Sequence, residues 1–198
     1  AGSITIDTGS LFITGGGSLD NSTTNQGNAG AITVNAQSIT LENDNPERRA
    51  IQSIVQTGTK KGNGGDIIIK NAESLFLNNA YITSESKTQG TAGNIITQTD
   101  ELKIENRGAI IVNSPNGQPG NLVILASKIF LDNGVLSATT GQEKNKPSDG
   151  SNIILLGKET TLEALEALGS LIEKSQLGEQ GKKSLPGSAL DFLILSNE

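Results

Sequence analysis

Apolar residues along this chain come in short alternating runs separated by glycine- and asparagine-rich bends, and the runs recur. The fullest version begins Gly62-Asn63-Gly64-Gly65-Asp66-Ile67-Ile68-Ile69. It then bends through Lys70-Asn71-Ala72-Glu73-Ser74, continues as Leu75-Phe76-Leu77, turns at Asn78-Asn79 and ends in Tyr81-Ile82-Thr83-Ser84. Equivalent first strands begin at Ile4, Ile32, Ile67, Ile95, Leu122 and, more weakly, Ile153, steps of about 27 to 35 residues, the period of stacked repeats. A second apolar pair follows in each rung: Leu11/Ile13, Ile39/Leu41, Leu75/Leu77, Leu102/Ile104 and Ile129/Leu131. It starts seven residues after the first strand in four rungs and eight after it in the third. With a side-chain period of two, the flanking aliphatics of each triplet share one face and the middle residue takes the other. The middle column reads Phe12, Thr40, Phe76, Lys103, Phe130, and its Thr and Lys assign it to the outer face.

Two residues beyond each second pair stands Gly15, Asn43, Asn79, Asn106 or Asn133. Glycine and asparagine enter the left-handed backbone region most readily, so this column is expected to be a sharp structural corner in every rung. A third apolar strand follows at Leu19, Ile51, Ile82, Ile110 or Leu136, usually with a Ser or Thr within the next two or three residues, before a polar loop returns to the next glycine. Three short strands per repeat, tight corners and one longer loop describe a coil of a parallel β-helix. Each coil buries its inward residues against its neighbours, so none is stable alone. The pattern predicts an all-β chain of about five to six coils over residues 1–156.

The second rung carries an insertion, Asp44-Asn45-Pro46-Glu47-Arg48-Arg49, expected to bulge from a corner. Arg48 and Arg49 with Lys60 and Lys61 read as solvated loop charges rather than an anion site. After Ile153-Ile154-Leu155-Leu156 the pattern changes. Thr160-Thr161-Leu162-Glu163 is a capping box opening a helix with Leu162, Leu165, Leu168, Leu171 and Ile172 on one face. Residues 157–198 are therefore expected to form a C-terminal amphipathic helix and tail that cap the solenoid.

Composition narrows the chemistry. The 198 residues contain no Cys, His, Met or Trp, which excludes disulfides, thiolate or common zinc sites and Ser-His-Asp catalysis. A formal charge of −6, with scattered basic residues, leaves no footprint for nucleic acid. No signal-peptide pattern or membrane-length apolar run is present. A first strand already under way at Ile4 would leave an open edge before it, so further coils are expected ahead of Ala1.

Glycosidic-bond chemistry wants two carboxylates a few ångströms apart. Asp7, Asp66, Asp100 and Asp132 fall at different places in the repeat, so no catalytic residues are expected. The turn at Asp66 lacks the repeated order of calcium-binding nonapeptides, and no metal or cofactor is expected. Phe12, Phe76 and Phe130, on alternate rungs, form either a stacking platform for sugar rings and lateral contacts or a surface that loops or the terminal segment cover.

The runs from Gly27 to Leu41, Gly62 to Asn79 and Gly90 to Ile95, with their Gly-Asn-x-Gly-x-Ile rhythm, resemble the repeats of filamentous haemagglutinin-like exoproteins of two-partner secretion, particularly the large cyanobacterial ones. That resemblance, over residues 1–156, implies a right-handed parallel β-helix passed through an outer-membrane transporter, secreted or held at the cell surface, and serving adhesion or aggregation without catalysis. Partners expected on this basis are surface glycans or other copies of the chain. The family's Asn-Pro-Asn-Gly secretion motif has only Ser114-Pro115-Asn116-Gly117 as a counterpart here. The alternative reading is a carbohydrate-binding or carbohydrate-processing β-helix.

Overall fold

The structure, a computed structural model, describes residues 1–24, 27–44, 49–55, 62–118, 120–140 and 152–157. Eleven strands follow one another: β1 (Ile4–Ile13), β2 (Leu19–Asp20), β3 (Ile32–Glu42), β4 (Ile51–Val55), β5 (Ile67–Asn78), β6 (Tyr81–Ser86), β7 (Ile95–Glu105), β8 (Ala109–Ser114), β9 (Leu122–Asp132), β10 (Val135–Thr140) and β11 (Ile153–Leu156). Odd strands form one sheet in the order β1-β3-β5-β7-β9-β11, even strands the other in the order β10-β8-β6-β4-β2, and every pairing is parallel. The result is a parallel β-solenoid of about five turns.

Each coil holds two strands rather than three. The polar bend between the first two apolar runs does not interrupt the ladder: it skips about one residue, at Gly9 against Gln37 and at Asp100 against Ser127, and resumes in register. The first two strands of each coil thus run together as one long bent strand. The eight-residue offset of the third rung is absorbed by a bulge in β5 between Ile69 and Ala72, where Asn71 adopts a left-handed φ of 59°. An extra residue in one strand must leave the ladder, and asparagine tolerates the backbone this requires.

Stacked rungs produce internal columns. Ile4, Ile32, Ile67, Ile95, Leu122 and Ile153 follow one another in register, as do Leu11, Ile39, Leu75, Leu102 and Ile129. Residues in the middle coils are fully buried, each aliphatic contributing about 1.5–3 kcal/mol. A column of small residues fills the inside of the bend: Thr8 pairs with Ala36, Ala72 with Thr99, and Thr99 with Ala126. The last described coil is different. β11 pairs only with Leu122–Leu125, and the core-facing Leu131, Ile153 and Leu155 are exposed. The expected capping helix at Thr160 and the apolar run of the tail lie outside the described residues.

Thr97 stands in the aliphatic column Val34, Ile69, Thr97, Ile124, fully buried, and its hydroxyl has no hydrogen-bond partner. An unsatisfied buried hydroxyl costs about 1–3 kcal/mol. Thr97→Val keeps the shape and removes the group, so stability should rise by about 1–2 kcal/mol on that scale. Urea unfolding will register this as a higher midpoint at unchanged slope. A lower midpoint would mean the hydroxyl is satisfied in solution.

Two glycine columns line the turn before each first strand. A Cβ on Gly65, Gly93 or Gly120 would come within 2.1, 2.3 and 2.2 Å of the carbonyl oxygen of the glycine one coil earlier; on Gly90 or Gly117 the distances are 2.0 and 1.9 Å. Backbone stacks directly on backbone here. The stacked carbonyls are then satisfied from inside by serines of the even strands. Ser53 donates to Gly30 O (2.8 Å), Ser84 to Gly65 O (3.0 Å), Ser86 to Gly62 O (2.8 Å) and Ser114 to Gly90 O (3.0 Å). This is the physical role of Ser53, Ser84, Ser86 and Ser114, which follow the third apolar run.

Candidate functional site

The outward residues of the second halves of the odd strands form three adjacent columns. The central one is Phe12, Thr40, Phe76, Lys103, Phe130, each in register with the next. One flank is Ser10, Ser38, Ser74, Glu101, Lys128, and the other Glu42, Asn78, Glu105, Asp132. Coils stacked about 4.8 Å apart set the three phenylalanines at intervals of about 9.6 Å. Phe12 is 68% exposed and Phe130 50%. Phe76 is half-buried because Lys103 lies over it, its Nζ 5.4 Å from the ring centroid. The same ammonium donates to Glu105 Oε1 at 2.6 Å, and that hydrogen bond holds the Lys103 pKa above its ordinary 10.5. The three candidate contact residues therefore occupy a single outward column, two of them bare and one under a lysine.

The corner residues are likewise in line. Gly15, Asn79, Asn106 and Asn133 have φ of 59°, 51°, 51° and 56°. Asn43 departs from the expected corner geometry: it is not among the left-handed residues. It still keeps its place in the stack, its N–H donating to Asn78 O (3.2 Å) and its carbonyl accepting from Asn79 Nδ2 (2.7 Å). A six-residue insertion follows Asn43, so its coil has no need of an immediate reversal there.

The four aspartates weighed as catalytic acids remain apart. Asp7 accepts from Asn35 (3.2 Å), Asp100 stands in the bend, and Asp132 lies beside Glu105 in the outer face. Asp66 heads an asparagine ladder. Its Oδ1 accepts from Asn94 N (2.7 Å) and Nδ2 (3.2 Å); Asn94 Oδ1 accepts from Asn121 N (3.0 Å), and Asn121 Oδ1 from Asn152 Nδ2 (3.1 Å). Burial raises the Asp66 pKa above its ordinary 3.8, with the Asn94 bonds opposing. A carboxyl whose folded pKa is raised is most favourable to the fold in acid, and that advantage is lost as pH rises through the folded value. Asp66→Asn keeps the Oδ1 acceptor and removes the ionisation. The variant should be more stable than the parent at pH 7, with the gap closing below about pH 3.8, measured by urea unfolding across pH. A gap independent of pH would sink this account.

Of the basic cluster, only Arg49 is described. It sits 3.7 Å from Glu85 Oε2, while Asn113 Nδ2 donates to Glu85 Oε1 at 2.9 Å. Arg49 is thus neutralised by a buried carboxylate; Arg48, Lys60 and Lys61 lie outside the described residues. The carboxylate pair Glu105 and Asp132, neighbours on successive coils, was not legible beforehand because it joins one residue that ends a strand to another a full coil later. Lys103 engages Glu105. Among the described residues no helix is long and apolar enough to cross a membrane. Comparison with protein-family models, curated proteins and solved structures gave no match.

Proposed function

We propose that this chain is a non-enzymatic, extracellular structural segment of a larger adhesin-like surface exoprotein, exported through an outer-membrane transporter and acting through many weak lateral contacts. The observation that carries the reading is the register: a sequence repeat becomes continuous outward columns, in which an aromatic ring recurs on alternate coils. Repetition of a weak contact raises avidity without any strong single site. The resemblance of residues 1–156 to secreted haemagglutinin-like repeats supports the same reading, as does an interior filled by aliphatic columns.

The test is adhesion by valency. Beads coated with the protein at increasing density should capture polysaccharide-bearing cells with a threshold dependence, while free protein at equal total concentration should not block them efficiently. Capture that is absent at all densities overturns the reading. So does release of reducing ends from oligosaccharides, provided Glu105→Gln abolishes that release; such a result would favour carbohydrate processing at the Glu105 and Asp132 pair.

A further inference from the structure

We propose that the column Phe12, Phe76, Phe130 is a ridge for an extended neutral polysaccharide, lying across the coils along the stacking direction. The inference rests on the adhesive reading above and names its ligand class. Every described phenylalanine of the chain occupies this one outward column, and two of the three are at least half exposed. Strand propensity accounts for phenylalanine in a β-strand but not for all three falling in one outward column. An aromatic ring left in water on a surface otherwise made of Ser, Thr, Asn, Glu, Asp and Lys gains nothing from burial.

The surroundings select the ligand. A protein partner would want a contiguous apolar patch with charge depleted from its centre. Here Thr40 and Lys103 separate the rings, and hydroxyl, amide and charged groups flank them on both sides. The outer columns carry the carboxylates Glu42, Glu101, Glu105 and Asp132 against the two cations Lys103 and Lys128, so a polyanion meets a net negative face. Lys103 within the ring column and Lys128 beside it put positive charge on the line that a polycation following the rings would have to occupy. A neutral glycan meets both demands. The C–H faces of its sugar rings stack on aromatic faces, whose π clouds carry partial negative charge, and its hydroxyl edges reach Ser10, Ser38, Ser74 and Asn78. Rings at about 9.6 Å intervals engage a regular polymer repeatedly rather than at one point.

The experiment is affinity electrophoresis of the full chain in gels containing a β-linked glucan, an α-linked glucan or a galactomannan, with a polyuronate as the charged comparison. At least one neutral polymer should retard the parent protein. Phe12→Ala/Phe130→Ala should weaken that retardation about tenfold or more, as loss of two stacking contacts implies. Because both rings are exposed, the thermal midpoint should not move, and Thr5→Ala, at an exposed position of β1 outside the three columns, serves as the control that leaves binding near the parent value. Retardation by none of the neutral polymers, retardation unchanged in the double variant, or salt-sensitive binding to the polyuronate alone each overturns the proposal. If bead adhesion persists in the double variant, the ligand assignment fails while the adhesive reading stands. If adhesion itself is absent, the adhesive reading fails first.

Discussion

Gly93→Ala is expected to lose about 3 kcal/mol or more of stability, at or beyond the upper end of ordinary overpacking. Gly93 does not need a left-handed backbone; it needs the absence of a Cβ. An added methyl would stand 2.3 Å from Gly65 O, 2.4 Å from Gly65 C and 2.8 Å from Asp66 N, all backbone atoms of the coil below. No rotamer relieves such a clash, so the coils must part. Parting them strains Ile67 N to Asn94 O and Gly64 N to Thr91 O, bonds of 2.9 and 2.8 Å that tie the same two turns. Solenoid stability is roughly a sum of coil terms and nearest-neighbour interface terms, so weakening one central interface should also lower the cooperativity of unfolding. Urea titration should show a lower midpoint and a shallower or split transition. Gly9→Ala, where a Cβ meets nothing within 4 Å, should stay within about 0.5 kcal/mol of the parent. Equal midpoints for the two variants would remove the glycine columns from any structural role.

Leu102→Ala should cost about 3–5 kcal/mol, in the upper part of the range for buried leucines. Leu102 is fully buried between Leu75 and Ile129, and the parallel ladders above and below fix the distance between coils. A site that cannot collapse keeps its cavity, and the penalty grows with the cavity left behind. Ile129→Ala removes a comparable side chain from the same column, but Ile129 is only half-buried, in the last described full coil. Its cost should be less than half as large. Chemical denaturation of both variants measures the gradient. Equal losses would mean that Ile129 is as enclosed in solution as Leu102.

The inward and outward columns were legible because a strand has a side-chain period of two and each coil repeats it at a nearly constant spacing. That pattern places Leu75 and Leu77 inside and Phe76 outside without coordinates. The corner at Asn79, Asn106 and Asn133 was legible for a related reason: few residues accept its backbone. Asn43 was misjudged as a corner of the same kind because residue identity shows what a position tolerates, not what the following insertion asks of it.

Other features depend on residues a coil apart. Ser84 gains its role only when it meets the carbonyl of Gly65, and Asp66 only when Asn94 stacks on it. The bend looked like a break between two strands because polar residues occupy it. The ladder crosses it all the same, since small side chains such as Ala36, Ala72 and Ala126 let the chain fold inward without losing register.

The sequence by itself determined the parallel coiled architecture, the buried aliphatic columns and the outward position of Phe12, Phe76 and Phe130, because periodicity within a strand and recurrence between coils are properties of one dimension. Tertiary structure alone decided how bare each ring is, that Lys103 covers Phe76, that Asp66 caps an asparagine ladder, and that the glycines are needed for close approach. Those outcomes turn on distances between residues remote in the chain, and separation along a sequence carries no distance until the coils are stacked.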